Sequence, residues 1–380
     1  MEANTDHKLQ VSKSRIYEIA IVATMSSGKS TLINALIGKT LLPSRNQACT
    51  NCITSVLDND HAESATVHVL RANGSHKRLA DCDAQTISDM LHDEGEVSDM
   101  LIECDIRGIR NIKKSVLVVD TPGVNNADDM QHAEITHAYL QSVESGSIVY
   151  LLNAAAIGTS DDAAFLSKVR QIMQDKPGLQ IVFVLNKADL FDTEEEPLDT
   201  VMHNCVQYLR ANGFDDPTIL PVSSSAALLF KRVIGGDSLP RSDRNDFLRY
   251  YELFRSQDLR LSAFARRTGD EDRAQTREIG GRMFLLRDLY SALENTGFPL
   301  LEDVLENQMT NHLRSRAPRV RGTAQKEKAK QSEGQADPAA EPTKNEDAKL
   351  AEEQAVLAAN LVSHLNSRKS LLQMWGIKIG

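Results

Sequence analysis

Short apolar runs alternate with longer segments in which apolar residues recur every three or four positions. The runs Ile16–Ala23, Ala65–Leu70, Leu101–Ile106, Val116–Asp120, Ser147–Asn153, Gln180–Asn186 and Thr218–Val222 are rich in Val, Ile and Leu and bounded by polar or turn-forming residues. That is the pattern of strands buried on both faces. Between them Lys29–Ile37, Ala133–Val143, Asp161–Asp175, Asp199–Ala211 and Ala226–Val233 follow the helical period. Thr159, Ser160 and Asp161 offer N-cap oxygens to the third of these helices. The alternation predicts an α/β fold, a mostly parallel sheet with helices on both faces.

The pattern then changes twice. Arg241–Arg321 reads as helical and holds 15 Arg and no Lys among acids that nearly balance them. An ion-paired, solvated surface and an interface both fit, since guanidinium tolerates partial desolvation and forks onto carboxylates. Over residues 316–347 large apolar side chains almost vanish and Ala, Gly, Pro, Gln, Lys and Glu take over, a composition that predicts a disordered linker. Beyond it Leu350, Leu357, Leu361, Leu365 and Leu372 form one stripe of an amphipathic C-terminal helix. The expected organisation is an N-terminal extension 1–15, a domain 16–315 whose helical portion is 236–313, a linker 316–347 and a helix within 348–380.

Charge narrows the function classes. The 380 residues carry 43 Lys plus Arg against 53 Asp plus Glu, a formal charge of -10, so no nucleic-acid partner is expected. No apolar run is long enough for a transmembrane helix, and five Cys, an odd count, read as reduced thiols in a cytosol. The tail has no acid after Glu353 and sets Arg368, Lys369 and Lys378 beside Leu371, Leu372, Met374, Trp375, Ile377 and Ile379. Packing onto the domain or a partner fits that combination, and so does a peripheral helix on the inner membrane face.

Three motifs carry chemistry. Ala23-Thr24-Met25-Ser26-Ser27-Gly28-Lys29-Ser30 joins a predicted strand to a predicted helix with Walker A spacing, Ala replacing the first Gly. In that context backbone N–H groups of the turn, Ser27 included, form an anion nest at a helix N-terminus. Gly28 admits close approach of a phosphate, Lys29 faces the β- and γ-phosphates, and Ser30 offers a hydroxyl to Mg²⁺. Asp120-Thr121-Pro122-Gly123 ends a second strand; Asp120 can hold Mg²⁺ through water, and the Gly123 N–H can sense a γ-phosphate. Asn186-Lys187-Ala188-Asp189 ends a third. Asp189 is placed to accept from the N1 and N2 groups of guanine, a donor pair that adenine lacks, and Lys187 covers the base plane. Ser223-Ser224, after Thr218–Val222, fits the last base-contacting loop. Such motifs at the C-terminal ends of parallel strands point to GTP and GDP as ligands.

With these residues in view, Thr24–Leu36 resembles the phosphate loop of bacterial dynamin-like GTPases, which brings Thr31 into the nucleotide-binding set. Leu42-Pro43 followed by Cys49-Thr50-Asn51-Cys52-Ile53-Thr54 resembles that family's switch I, Leu101–Ile109 has its spacing before Val116–Gly123, and Gly297–Leu305 looks like its domain-closing helix. The resemblance covers Ile16 to Leu313. It implies a P-loop GTPase fold and hydrolysis of GTP to GDP and phosphate. It implies that Thr50 binds Mg²⁺ and, with the Gly123 region, positions the attacking water. Ser26 would help hold a monovalent cation, K⁺ or Na⁺, in the part of an arginine finger. A homodimer through G domains, or a stalk-bearing dynamin-like partner, would complete the site. Two features depart from the family: Met25 stands where Gln is common, and a linker with one helix follows where a full stalk would begin, so the chain is expected to lack one.

Cys49 and Cys52 flank Thr50 and read as small switch residues rather than zinc ligands, while His132 and His137 read as partly exposed helix residues. Two rival functions stay open. An Era-like assembly GTPase acting on ribosomal RNA shares the motifs but calls for a basic module after residue 235. A nucleotide-gated interaction protein with little catalysis is favoured by Met25 and opposed by Thr50.

Overall fold

The computed structural model describes residues 16–23, 27–43, 53–71, 73–92, 97–110, 115–123, 130–153, 160–191, 197–255, 259–261 and 275–316. The expected extension 1–15, the linker and the C-terminal helix lie outside the described residues, save the linker's first residue, Arg316.

Nine strands form one sheet: β1 (Ile16–Ala23), β2 (Ile53–Asp58), β3 (Ala65–Arg71), β4 (His76–Cys82), β5 (Val97–Cys104), β6 (Ser115–Asp120), β7 (Gly146–Asn153), β8 (Leu179–Asn186) and β9 (Ile219–Val222). Their order is β4-β3-β5-β2-β6-β1-β7-β8-β9. β6, β1, β7, β8 and β9 are mutually parallel, β2 reverses direction against β6, and β5 runs parallel to β2. β3 and β4 then alternate antiparallel to the outer edge. The sheet is mostly parallel, as the apolar runs predicted. One edge is β4, whose His76, Lys77 and Arg78 are exposed; the other is β9, four residues long and interrupted by Pro221.

The helices are α1 (Lys29–Ile37), α2 (Ala84–His92), α3 (Met130–Ser142), α4 (Ser160–Asp175), α5 (Leu198–Ala211), α6 (Ser224–Ile234), α7 (Arg241–Arg255), α8 (Leu286–Asn295) and α9 (Phe298–Arg316). They sort onto two faces because neighbouring residues of a strand point opposite ways. On β1, Ile19 and Ile21 enter the core shared with α1, α2 and α6 to α9, while Ala20 and Val22 enter the core shared with α3, α4 and α5.

Several expectations are corrected. β2 and β4 had no strand expectation of their own: Ile53 and Thr54 had been read as switch, and β4 is too polar to show an apolar run. Ser160 and Asp161 lie within the first turn of α4 rather than before it, and Thr159 is outside the described residues. The Arg-rich stretch is not wholly helical. A hairpin, β10 (Thr276–Ile279) and β11 (Arg282–Leu285), interrupts it. Gly280 and Gly281 both take left-handed φ, +60° and +79°, which suits a two-residue hairpin turn. The hairpin seats Phe284 edge-on against Tyr251 at 4.9 Å and Phe247 at 5.2 Å. Arg232–Asp243, Arg249–Asp246 and Arg255–Glu252 are ion pairs, the last two one turn apart on an exposed face.

Asn34 fixes the exit of α1. Fully buried, it accepts from the N–H groups of Leu41 at 2.9 Å and Leu42 at 2.8 Å and donates to the Leu42 carbonyl at 2.8 Å. Asn34→Ala leaves two buried N–H groups and a carbonyl unpaired. It is expected to lower unfolding free energy by about 2–4 kcal/mol, read as a shift of the urea midpoint.

Candidate functional site

Because β1, β6, β8 and β9 run in parallel, the loops that follow them gather at one sheet edge. Thr24 to Ser26 lie outside the described residues, so the turn is seen from Ser27 onward. Gly28 caps α1 at φ +93° and, as a glycine, makes no side-chain cap bond to the helix's first N–H groups. An open helix N-terminus of this kind suits an anion. A Cβ at Gly28 would stand 2.5 Å from Asn186 Nδ2, so both the left-handed backbone and the neighbour require glycine here.

Asn186, at the end of β8, is 2% exposed and wholly engaged. Its Nδ2 donates to the Ser27 carbonyl at 2.8 Å, and its Oδ1 accepts from Ser224 Oγ at 2.9 Å and the Ser224 N–H at 3.3 Å. Ser27, Gly28, Asn186 and Ser224 therefore form one unit linking β1, β8 and α6. Ser223 Oγ is spent on capping α6, accepting from the Ala226 N–H at 3.4 Å. Lys187 holds a left-handed φ of +62° and opens a single turn over Ala188–Leu190, in which Asp189 is half-buried and Leu190 is 65% exposed.

Lys29, Ser30 and Asp120 form a second unit. Ser30 Oγ donates to Asp120 Oδ2 at 3.1 Å, whereas Asp120 Oδ1 is buried with no hydrogen-bond partner among the described residues. Burial pushes the Asp120 carboxyl up, against the pull of Lys29 and the Ser30 hydroxyl. Burial likewise pushes the Lys29 ammonium down, against Asp120. A buried carboxylate with one unmet oxygen beside a hydroxyl is a fit for a hard cation that takes oxygen ligands. The turn after Asp120 is anchored by Thr121 Oγ1, which donates to the Ile21 carbonyl at 2.8 Å, and by Thr136 Oγ1, which donates to the Pro122 carbonyl at 3.1 Å.

Of the residues expected from sequence, Gly123 and Thr31 lie half-buried at the same edge, and Ser26 and Thr50 fall outside the described residues. Cys49 and Cys52 also fall outside, as does the side chain of His132. His137 lines a groove with Gln141 and Asp175, where burial and then Lys168 push its pKa down. Sequence reasoning missed Thr136 and Tyr250. The Tyr250 phenol is buried, and its pKa is raised by that burial first and by Asp189 second. Neither carries a motif; only the packing of α3 and α7 brings them near.

The sequence profile of the Dynamin family matches residues 19–188, a span that holds the first two motifs and the third as far as Ala188. Residues 19–188 match a dynamin-type G domain. The G domain's relatives include Dynamin-like protein 1 of Campylobacter jejuni, 24% identical over 290 residues, or 65% of this chain and 38% of that one. Dynamin-like protein A of Bacillus subtilis is 22% identical over 320 residues, 68% of this chain and 26% of that one. This chain spans about half or less of the length of the curated relatives it matches. Among solved structures, a bacterial dynamin from an oligomerised pair described in the long-range sensing and tethering of membranes superposes with a TM-score of 0.45. Its identity is 17%, over 98% of this chain and 49% of that one. GTPase domains of this family generally use Mg²⁺, which Ser30 and Asp120 fit. Among the described residues no helix is long and apolar enough to cross a membrane.

Gly28→Ala combines backbone strain with overlap on the Asn186 amide. It is expected to weaken nucleotide binding by about tenfold or more, measured by titration with a fluorescent guanine nucleotide.

Proposed function

We propose that the chain binds GTP and hydrolyses it to GDP and phosphate. The observation that carries this reading is the convergence of the Gly28–Asn186 unit and the Ser30–Asp120 unit at one sheet edge. Lys29 and the N–H groups at the start of α1 neutralise charge on the transferred phosphoryl group. Ser30 and Asp120 would hold Mg²⁺, which would supply positive charge against the charge developing on the phosphates. Thr50 and the Gly123 N–H hold the attacking water in line, and Ser26 helps a monovalent cation offset the remaining charge; the family resemblance supports these three roles. Asp189 selects guanine, Lys187 covers its face, and the Ser223–Ser224 loop closes the pocket around it.

Activation is by pairing, either of two copies through their G domains or with a stalk-bearing dynamin-like partner. Exposed Leu190, beside Asp189, offers apolar surface at the edge where such a pair would meet. Peripheral membrane contact through residues 348–380 belongs to the same proposal. A second reading, a nucleotide-gated interaction protein with little turnover, draws on Met25, an apolar side chain in the phosphate loop.

Turnover measured against protein concentration decides activation by pairing: specific activity is expected to rise with concentration, and a flat profile overturns it. Thr50→Ala is expected to reduce turnover by about 100-fold; equal slow rates in parent and variant favour the second reading. Asp189→Asn is expected to weaken GTP and admit xanthosine triphosphate, and an unchanged base preference removes Asp189 from the site.

A further inference from the structure

α1 carries Lys29 and Ser30 at its N-terminus and is a rod of nine residues, so whatever fixes its far end fixes them. The last carbonyls of a helix have no partner within it. Here three of the last four are met, one by the helix's own C-cap and two by groups from elsewhere in the fold. The Gly38 N–H donates to the Asn34 carbonyl at 2.8 Å, and the Gly108 N–H, from the turn after β5, donates to the Leu36 carbonyl at 2.9 Å. Between them the ammonium of Lys231, on α6, donates to the Ala35 carbonyl at 2.7 Å.

Lys231 is also ion-paired with Glu302 of α9, and the two side chains are only 13% and 5% exposed. The ammonium lies 4.9 Å from the centroid of the Phe298 ring, the first residue of α9. A Cβ at Gly108 would overlap the Glu302 carboxylate and stand 2.7 Å from the Leu36 carbonyl, so the junction is closed around the pair. One turn along α9, Glu306 accepts from the Arg110 N–H at 2.9 Å. A buried ion pair adds little stability beyond an apolar pair of similar volume. What an apolar pair cannot do is bond the Ala35 carbonyl, and a cation at that end of a helix also meets its dipole.

We propose that Lys231 is a positioning residue for the nucleotide site. Held by Glu302, it ties the C-terminal end of α1 to α9 and so sets where Lys29 and Ser30 stand relative to Asp120. Its effect on turnover rests on the GTPase reading above; the tie itself does not.

The test uses the full chain with Lys231→Met and Glu302→Leu together, because removing one partner strands a buried charge. Amide hydrogen exchange without nucleotide is expected to speed up by about tenfold at Leu32 and Ile33 in the double variant. GTP turnover is expected to show kcat reduced by about tenfold with KM held within about threefold. Lys231→Arg, which keeps the charge and the donors, is expected to restore most of both. A folded double variant whose α1 amides exchange as in the parent overturns the proposal. If the double variant does not fold, Glu302→Gln, which keeps an acceptor oxygen, is read by the same exchange criterion. A parent that turns over no GTP overturns the GTPase reading, while exchange at α1 still decides the tie.

Discussion

One buried carboxamide holds the two halves of the site in register. Asn186 uses both ends of its side chain, and the partners dictate which end goes where: a carbonyl at Ser27 requires the amide nitrogen, and two donors at Ser224 require the oxygen. The group cannot rotate without breaking all three bonds. The turn before α1 is thereby bolted to the end of β8 and the start of α6, and the left-handed Gly28 is the conformation that admits the bolt. Two loops joined this way are organised in advance of any ligand, which is how fixed dipoles become effective.

α1 is treated oppositely at its two ends. At the C-terminus the carbonyls of Asn34, Ala35 and Leu36 are met by three different donors. At the N-terminus the cap residue is a glycine that makes no side-chain cap bond, and across from it Asp120 Oδ1 has no hydrogen-bond partner among the described residues. Unmet polar groups in a buried place cost free energy, so the fold concentrates its deficit where a charged ligand can relieve it. The displaced pKa values of Lys29 and Asp120 express the same deficit, since each group loses water and is only partly compensated, Lys29 by the charge of Asp120 and Asp120 by the charge of Lys29 and the Ser30 hydroxyl.

The parallel half of the sheet was legible in the sequence because β1, β6, β7 and β8 are buried on both faces and read as continuous apolar runs. The motif residues were legible because their spacing is tied to strand ends. β4 was not, since its side chains are mostly exposed and polar, and neither was the β10–β11 hairpin, whose strands expose Arg, Glu and Thr and bury little beyond Ile279 and Phe284. The partners of functional groups were illegible for another reason. Lys231 and Glu302 are 71 positions apart, and Thr136 reaches Pro122 only because α3 folds back over the turn.

The two edges of the sheet have a consequence for how copies of this chain behave when crowded. Open strand edges invite backbone pairing between molecules, and charge or proline at the edge suppresses it. β4 presents Lys77 and Arg78 near its start and Asp81 near its end, and β9 is short and carries Pro221. Two molecules approaching edge to edge meet charged side chains on one side and a missing N–H on the other. The sheet is thus insulated from fusing into a larger sheet, and association between copies is left to side chains and loops, which can let go again.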